Sequence, residues 1–175
     1  MRLAHLSDPH LGPLPRPSLA ELRSKRLSGF LSWQLRRRFR HRSEVLEAVL
    51  ADLLAWQPDH IVLTGDLANL ALPEEFVRAS AWLRRLGGPE RVSLVPGNHD
   101  AYVDHVWRFG WKLWAPWMSG DRGETRFPWL RWRPPVLLIG LASAVPSPWF
   151  KATGEIGDAQ LQRLDQLLAQ LDDRD

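Results

Sequence analysis

A chain of 175 residues with 45% apolar and 25% charged side chains has room for one globular domain that buries roughly 70% of its unfolded surface. It contains no Cys, which excludes a disulfide framework, a thiolate metal site and a Cys nucleophile. The N-terminal apolar run is too short for a signal peptide, and no stretch approaches the roughly 20 apolar residues of a membrane span. A cytoplasmic location is therefore expected.

Two biases are local. The pI of about 9.9 accompanies a net charge of only +3, because Arg dominates the cations. Of the ten Trp residues, seven lie between Trp107 and Trp149.

In chain order, an apolar strand over 2–7 runs into Asp8-Pro9-His10. The segment Gly12-Pro13-Leu14-Pro15-Arg16-Pro17 cannot be helical. Ser18 followed by Glu21 is a capping-box signature and predicts a helix from Leu19 to Arg40, with Leu19, Leu22, Leu27, Phe30, Leu31 and Leu35 as its apolar positions. Its end is basic, with Arg36, Arg37, Arg38, Arg40 and Arg42. Such a run is either a solvated helix end near the negative dipole or a patch that draws in an anionic substrate or membrane surface.

Ser43 caps a second expected helix that reaches Gln57, where Val45, Leu46, Val49, Leu50, Leu53 and Leu54 recur at helical spacing. A strand over 60–64 follows and delivers Gly65-Asp66. Pro73, followed by Glu74 and Glu75, opens a third helix that closes at Gly87-Gly88. A strand over 91–95 then ends at Pro96-Gly97, with Asn98, His99 and Asp100 beyond it. Alternating strand and helix argues for parallel pairing with right-handed crossovers.

From Ala101 to Pro135 the periodicity dissolves. Trp107, Trp111, Trp114 and Trp117 share one face of a short helix before Pro116 interrupts it. They either pack beneath an excursion or form an exposed aromatic rim for an apolar ligand. A fourth strand is expected over 136–141, a loop over 143–157, and an amphipathic helix from Asp158 with Leu161, Leu164, Leu167, Leu168 and Leu171.

Three apolar strands thus deliver metal-competent side chains at the same end, where ligands bind in open α/β sheets. Pro and Gly set the tight turns that carry those side chains. Asp8-Pro9-His10, Gly65-Asp66 and Gly97-Asn98-His99-Asp100, in this order and spacing, resemble the motifs of the calcineurin-like metallophosphoesterases. Within that family the chain resembles the bacterial phosphohydrolases of the cyclic-nucleotide phosphodiesterase and UDP-diacylglucosamine pyrophosphohydrolase type. The resemblance implies an αββα sandwich of two mixed sheets flanked by helices.

It further implies two divalent ions, Mn, Fe, Zn or Co, that neutralise substrate charge and lower the pKa of an attacking water. Asp8 and His10 would hold one ion, Asp66 would bridge both, and Asn98 would hold the second. His99 would donate a proton to the leaving oxygen, with Asp100 orienting its ring. Family members also carry a later strand His and a Gly-His-x-His. No His follows His105, so residues 1–175 are expected to form a single domain lacking its C-terminal His-bearing part.

Other polar residues have plainer readings. His5 reads as a core histidine within its strand, whereas His41, His60 and His105 read as surface groups. Thr64 and Asn69 flank Asp66 closely enough to hydrogen-bond it. Arg126, Arg131 and Arg133 stand among Trp residues as weaker candidates for substrate contact. The expected activity is hydrolysis of a phosphoester, phosphodiester or pyrophosphate in a small-molecule or lipid substrate. Peripheral contact with an anionic membrane is a further expectation, and nucleic acid is not an expected partner. The competing reading is a non-catalytic anion- or membrane-binding remnant of the same fold.

Overall fold

The computed structural model describes residues 1–103, 106–146, 148 and 151–172, and of residues 106, 107 and 172 the backbone alone. His105, Trp149, Asp173 to Asp175 and the Trp107 side chain therefore lie outside the described residues. Three short apolar segments pair in parallel in the order β1 (Leu3–Leu6), β2 (His60–Leu63) and β3 (Val92–Leu94). The register sets Leu6 beside Leu63 and Leu63 beside Leu94. All three strands consequently end at one level, and the loops carrying the polar motifs leave side by side.

The crossover helices are α2 (Ser43–Trp56) and α3 (Pro73–Leu86), each 14 residues long. Leu50 and Leu53 of α2 join Phe76, Ala79, Leu83 and Leu86 of α3 on the sheet residues Ala4, Ile61, Leu63, Val92 and Leu94. Full burial of a Leu, Ile or Phe side chain stabilises by about 1.5–3 kcal/mol, so this face dominates the fold. Gln57 in the left-handed region ends α2 just before Pro58, and Pro73 starts α3 as expected.

A second sheet pairs β4 (Trp129–Arg133) antiparallel to β5 (Val136–Gly140). The two sheets face each other across a cavity of about 240 Å³ lined by Val62, Ser93, Val95, Leu138 and Gly140 among others. The α/β architecture with two sheets is as expected, although one sheet is wholly parallel and the other wholly antiparallel. β4 was not expected. Its alternation places Trp129 and Arg131 on the buried side, and a buried Arg hides the period-2 apolar pattern.

Arg131 is 2% exposed and donates to the carbonyls of Ser119, Pro89, Val92 and Pro116 and to Ser93 Oγ. Arg133 donates to Asp121 Oδ1 at 2.9 Å and to the Glu90 carbonyl. Both side chains pin β4 to its neighbours, so neither is a substrate contact.

The first helix is shorter than expected. The Ser18–Glu21 box does form, with Ser18 N donating to Glu21 Oε2 at 2.8 Å, but it caps only a run of turns. α1 itself spans Arg26–Leu35 and is followed by a 3₁₀ turn over Arg37–Phe39. The like charges of Arg36 and Arg40, and of Arg38 and Arg42, stand four apart and oppose a continued helix, and Arg37 is engaged elsewhere.

α4 (Val106–Trp114) and a 3₁₀ turn over Ala115–Met118 carry the Trp cluster. Trp114 and Trp117 are buried, and their indole N–H groups donate to the carbonyls of Phe76 and Gly87. Trp111 is half-buried and donates to the Asp100 carbonyl. Trp114 and Trp117 pack against α3 and Trp111 against Asp100, which corrects the alternative of an exposed aromatic rim for these three residues. The last helix is α5 (Asp158–Asp172), where Gln160 bonds both backbone groups of Ala142. Among the described residues no helix is long and apolar enough to cross a membrane.

Candidate metal centre

The two motif glycines exist because their loops touch. A Cβ on Gly97 would lie 2.2 Å from Asp66 Oδ1, and one on Gly65 would lie 2.1 Å from the Gly97 nitrogen. Gly65 also has φ +86. Only residues without side chains let the β2 and β3 loops approach this closely. The approach lets the His99 amide donate to Asp66 Oδ1 at 2.8 Å.

Asp100 ties the same two loops. It is fully buried, and its Oδ2 accepts from the amides of Asp66 (2.8 Å) and Gly97 (2.9 Å) while Oδ1 accepts from Ala68 (2.9 Å). Burial pushes its carboxyl up to about 7 against the pull of those amides. This corrects the expectation that Asp100 orients the His99 ring, because its carboxylate is committed to backbone.

The ring is held instead by the Asn69 carbonyl, 2.6 Å from Nδ1. A carbonyl only accepts, so Nδ1 carries the proton. Arg37 Nη1 stands 2.9 Å from Nε2, and a guanidinium only donates, so Nε2 presents its lone pair. His10 repeats the arrangement, with Nδ1 3.2 Å from the Ala68 carbonyl and Nε2 left facing Asp66 Oδ2 at 3.8 Å. Two successive carbonyls thus fix two imidazoles as Nε2 lone-pair donors, which is how backbone carbonyls prepare histidines for metal. Thr64 and Asn69 were expected to bond Asp66. Thr64 Oγ1 instead meets His5 Nε2 at 2.8 Å, and the Asn69 amide donates to the Leu11 carbonyl.

His10, Asp66 and His99 each offer one ligand atom within 4.8 Å of the others, and all three are buried. Asp8 is exposed, with Oδ1 3.9 Å from His10 Nε2 and Oδ2 bonded by the Ser7 hydroxyl. Asn98 lies half-buried in the turn between Gly97 and His99. Asp8, His10 and Asp66 all have positive φ, at 55, 39 and 56 degrees. Non-Gly residues in this region cost of order 1 kcal/mol each and collect at functional sites.

Burial, helped by the His99 ring, pushes His10 down to about 4, and burial with the Arg37 charge does the same for His99. Burial raises Asp66, partly offset by the His99 amide and His10. Neutral imidazoles beside a carboxylate are a nitrogen–oxygen donor set that fits a borderline divalent ion.

Residues outside the motifs complete the surroundings. Glu75, buried at the start of α3, accepts from the amides of Asn69, Leu70 and Leu72 at 2.7–3.0 Å. Arg26 of α1 donates to the carbonyls of Leu70 and Ala71. The loop that positions the Asn69 carbonyl is therefore clamped from both sides. His41 was expected on the surface, yet it is half-buried with its ring 4.4 Å from that of His10. Burial and then Arg37 lower its pKa.

Two further histidines exchange places relative to expectation. His5 is exposed and His60 is fully buried, its Nε2 2.8 Å from Ser93 Oγ. The basic run gave the only sequence signal for Arg37, and nothing in it set Arg37 apart from its neighbours.

Comparison with known proteins agrees with this construction. No curated protein matches the chain, whereas the profile described as calcineurin-like phosphoesterase matches residues 1–170. That span includes every motif loop of the centre, and the chain belongs to the calcineurin-like phosphoesterase family of metal-dependent phosphoesterases.

Proposed function

We propose that the chain hydrolyses a phosphodiester or pyrophosphate bond, with His10, Asp66 and Asp8 holding a first divalent ion and Asp66 and Asn98 a second. The observation that carries this reading is the convergence of His10, Asp66 and His99 within 4.8 Å. Asp100 ties the loops after β2 and β3, and the Asp8 and His10 amides join the β1 loop to them through the Gly65 and Asp66 carbonyls. Divalent ions there would neutralise phosphate charge and activate water for in-line attack.

The protein groups have distinct tasks. Asp66 is kept in place by the His99 amide and by the fit of Gly97 against it. Arg37 offers guanidinium donors of the kind that bind the equatorial oxygens of a transferring phosphoryl group. A substrate that draws Arg37 onto its own oxygens frees His99 Nε2 and replaces a cation beside the ring with an anion. Both changes favour protonation of His99, and the Asn69 carbonyl stabilises the imidazolium through Nδ1–H. His99 then gives its Nε2 proton to the leaving oxygen.

A second reading is favoured by the same 4.8 Å grouping, in which His99 Nε2 is itself a metal ligand. The variant His99→Ala separates the two. Under the first reading it keeps the parent's metal content by elemental analysis while losing about 10²–10⁴ in rate on a phosphodiester. The loss shrinks for a nitrophenolate leaving group, which needs no proton. Metal lost with the ring would make His99 a ligand. A metal-loaded parent that hydrolyses no phosphodiester or pyrophosphate would leave only the non-catalytic alternative.

A further inference from the structure

α1 and the 3₁₀ turn after it have two unlike faces. On the inner face, Arg26 bonds the 70–71 carbonyls, Phe30 and Trp33 pack against Leu14, Leu70 and Leu72, and Arg37 reaches His99. On the outer face, Leu27, Leu31 and Leu35 recur every fourth residue and are 47%, 52% and 74% exposed, and Phe39 follows at 64%. Residues four apart share one side of a helix, so Leu27, Leu31 and Leu35 form a single apolar stripe on α1, and exposed Phe39 follows it in the 3₁₀ turn.

The stripe is framed by exposed Arg23, Arg36, Arg38, Arg40 and Arg42. No Asp or Glu occurs between Glu21 and Glu44. The Arg38 guanidinium lies over the Phe39 ring, 4.6 Å from its centroid, and donates to Gln34 Oε1. Arg40 and Arg42 also line a cavity of about 220 Å³ shared with Asp8, His10 and His41. The basic rim therefore runs into the metal centre.

We propose that this outer face docks on an anionic lipid bilayer, and that the enzyme takes its phosphate group from an amphiphile in that surface. An apolar stripe with basic flanks is the pattern of helices that lie in the headgroup region, where arginine stems bury and guanidinium groups meet lipid phosphates. Among the described residues, only Arg42 of these five arginines has a carboxylate partner, the exposed Glu44 at 3.7 Å. Such a rim selects an anionic surface, each of the other arginines contributing about fivefold to partitioning. Because the 3₁₀ turn that directly follows this helix carries Arg37 to His99, docking brings the site to the membrane. The docking surface stands on its own, whereas the lipid-borne substrate rests on the phosphoesterase reading.

The experiment is flotation of the full metal-loaded chain with phosphatidylcholine vesicles containing either no phosphatidylglycerol or about 30 mole per cent of it. Two variants accompany it, Leu31→Ser/Leu35→Ser/Phe39→Ser and Arg36→Gln/Arg38→Gln, whose side chains lie on the exposed face. The parent binds the anionic vesicles at low salt, each variant binds at least about tenfold more weakly, and melting temperatures stay within a few degrees. Soluble bis-nitrophenyl phosphate is hydrolysed equally by parent and variants, while a phosphodiester presented in vesicles is hydrolysed more slowly by both variants.

Absent parental binding, or binding that both variants retain, overturns the docking surface. A stripe variant that converts a dimer to a monomer overturns it too, by making a second copy the occupant. Vesicle binding without hydrolysis of either substrate leaves the docking surface in place and overturns the phosphoesterase reading and the lipid substrate with it.

Discussion

Arg37 holds its guanidinium 2.9 Å from Nε2 of His99, and the two residues lie on segments 62 positions apart. Of the arginines in the run 36–42, it is the one whose side chain meets the catalytic candidate. Burial, and then this contact, make His99 a poor base in the free protein, because desolvation and a neighbouring cation both disfavour the imidazolium. Removing the cation leaves burial as the cause that remains. In Arg37→Gln the His99 pKa rises from about 4 towards the ordinary 6.5, read by NMR titration of the metal-free protein. Inorganic phosphate binding to the metal-loaded variant weakens about tenfold or more, as for loss of a charge-assisted hydrogen bond. Arg38→Gln, whose partner is Gln34, changes neither. An unmoved His99 pKa in Arg37→Gln would show that burial alone holds the ring neutral.

Asp66 and Gly97 must be judged together. Asp66→Ala removes the carboxylate proposed to reach both ions, so metal content by elemental analysis falls further than in Asn98→Ala. Gly97→Ala keeps every ligand but puts a Cβ 2.2 Å from Asp66 Oδ1. Something must shift, and the variant is expected to lose metal about as severely as Asp66→Ala. Parent-like metal content in Asp66→Ala would remove Asp66 from the centre. Parent-like content in Gly97→Ala would show that the two loops can separate without cost to the site.

For Asp100 the structure changes the expected phenotype from chemical to structural. Asp100→Asn turns an amide NH₂ towards backbone N–H donors that now meet carboxylate oxygens. Leaving buried donors unsatisfied costs about 2–4 kcal/mol, or roughly 4–16 °C in melting temperature for a chain of this size. Calorimetry is the check. A variant that melts with the parent but shows an altered His99 titration would restore the role of ring orienter.

The motif loops were legible because each couples an apolar strand to a break and a ligand, and three such units at one sheet end leave few alternatives. The scaffold behind them was not. Glu75 reads as an ordinary first-turn acid at the start of α3, yet its carboxylate binds three loop amides. Asn69 acts through its carbonyl, which no side-chain pattern reveals. β4 went unread because Arg131 occupies a buried position and looks like a solvent residue in sequence. His5 and His60 exchanged burial for a related reason: the register pairs Leu3 with His60 and His5 with Val62, and which strand face meets the helices is a tertiary fact.

His60 makes the last prediction, and it concerns stability away from the centre. Its Nε2 lies 2.8 Å from Ser93 Oγ, and that oxygen also accepts from Arg131 Nη1. The Ser93 proton is thus available to the His60 lone pair, which suits a neutral ring. Burial, then the Arg133 and Arg131 charges, hold the folded-state pKa at about 4 against an ordinary 6.5. Between those values the unfolded chain binds a proton at His60 that the folded chain refuses. Stability from this group is therefore complete above about pH 6.5 and is lost as pH falls towards 4. The full shift corresponds to about 3 kcal/mol. His60→Gln keeps a polar group beside Ser93 but cannot titrate. Urea unfolding at about pH 7.5, above the window, and at about pH 4.5, near its lower end, is expected to show a smaller acid loss in the variant than in the parent, whatever their absolute stabilities. Equal losses in the two proteins would mean that His60 takes up its proton in the folded state as readily as in the unfolded one.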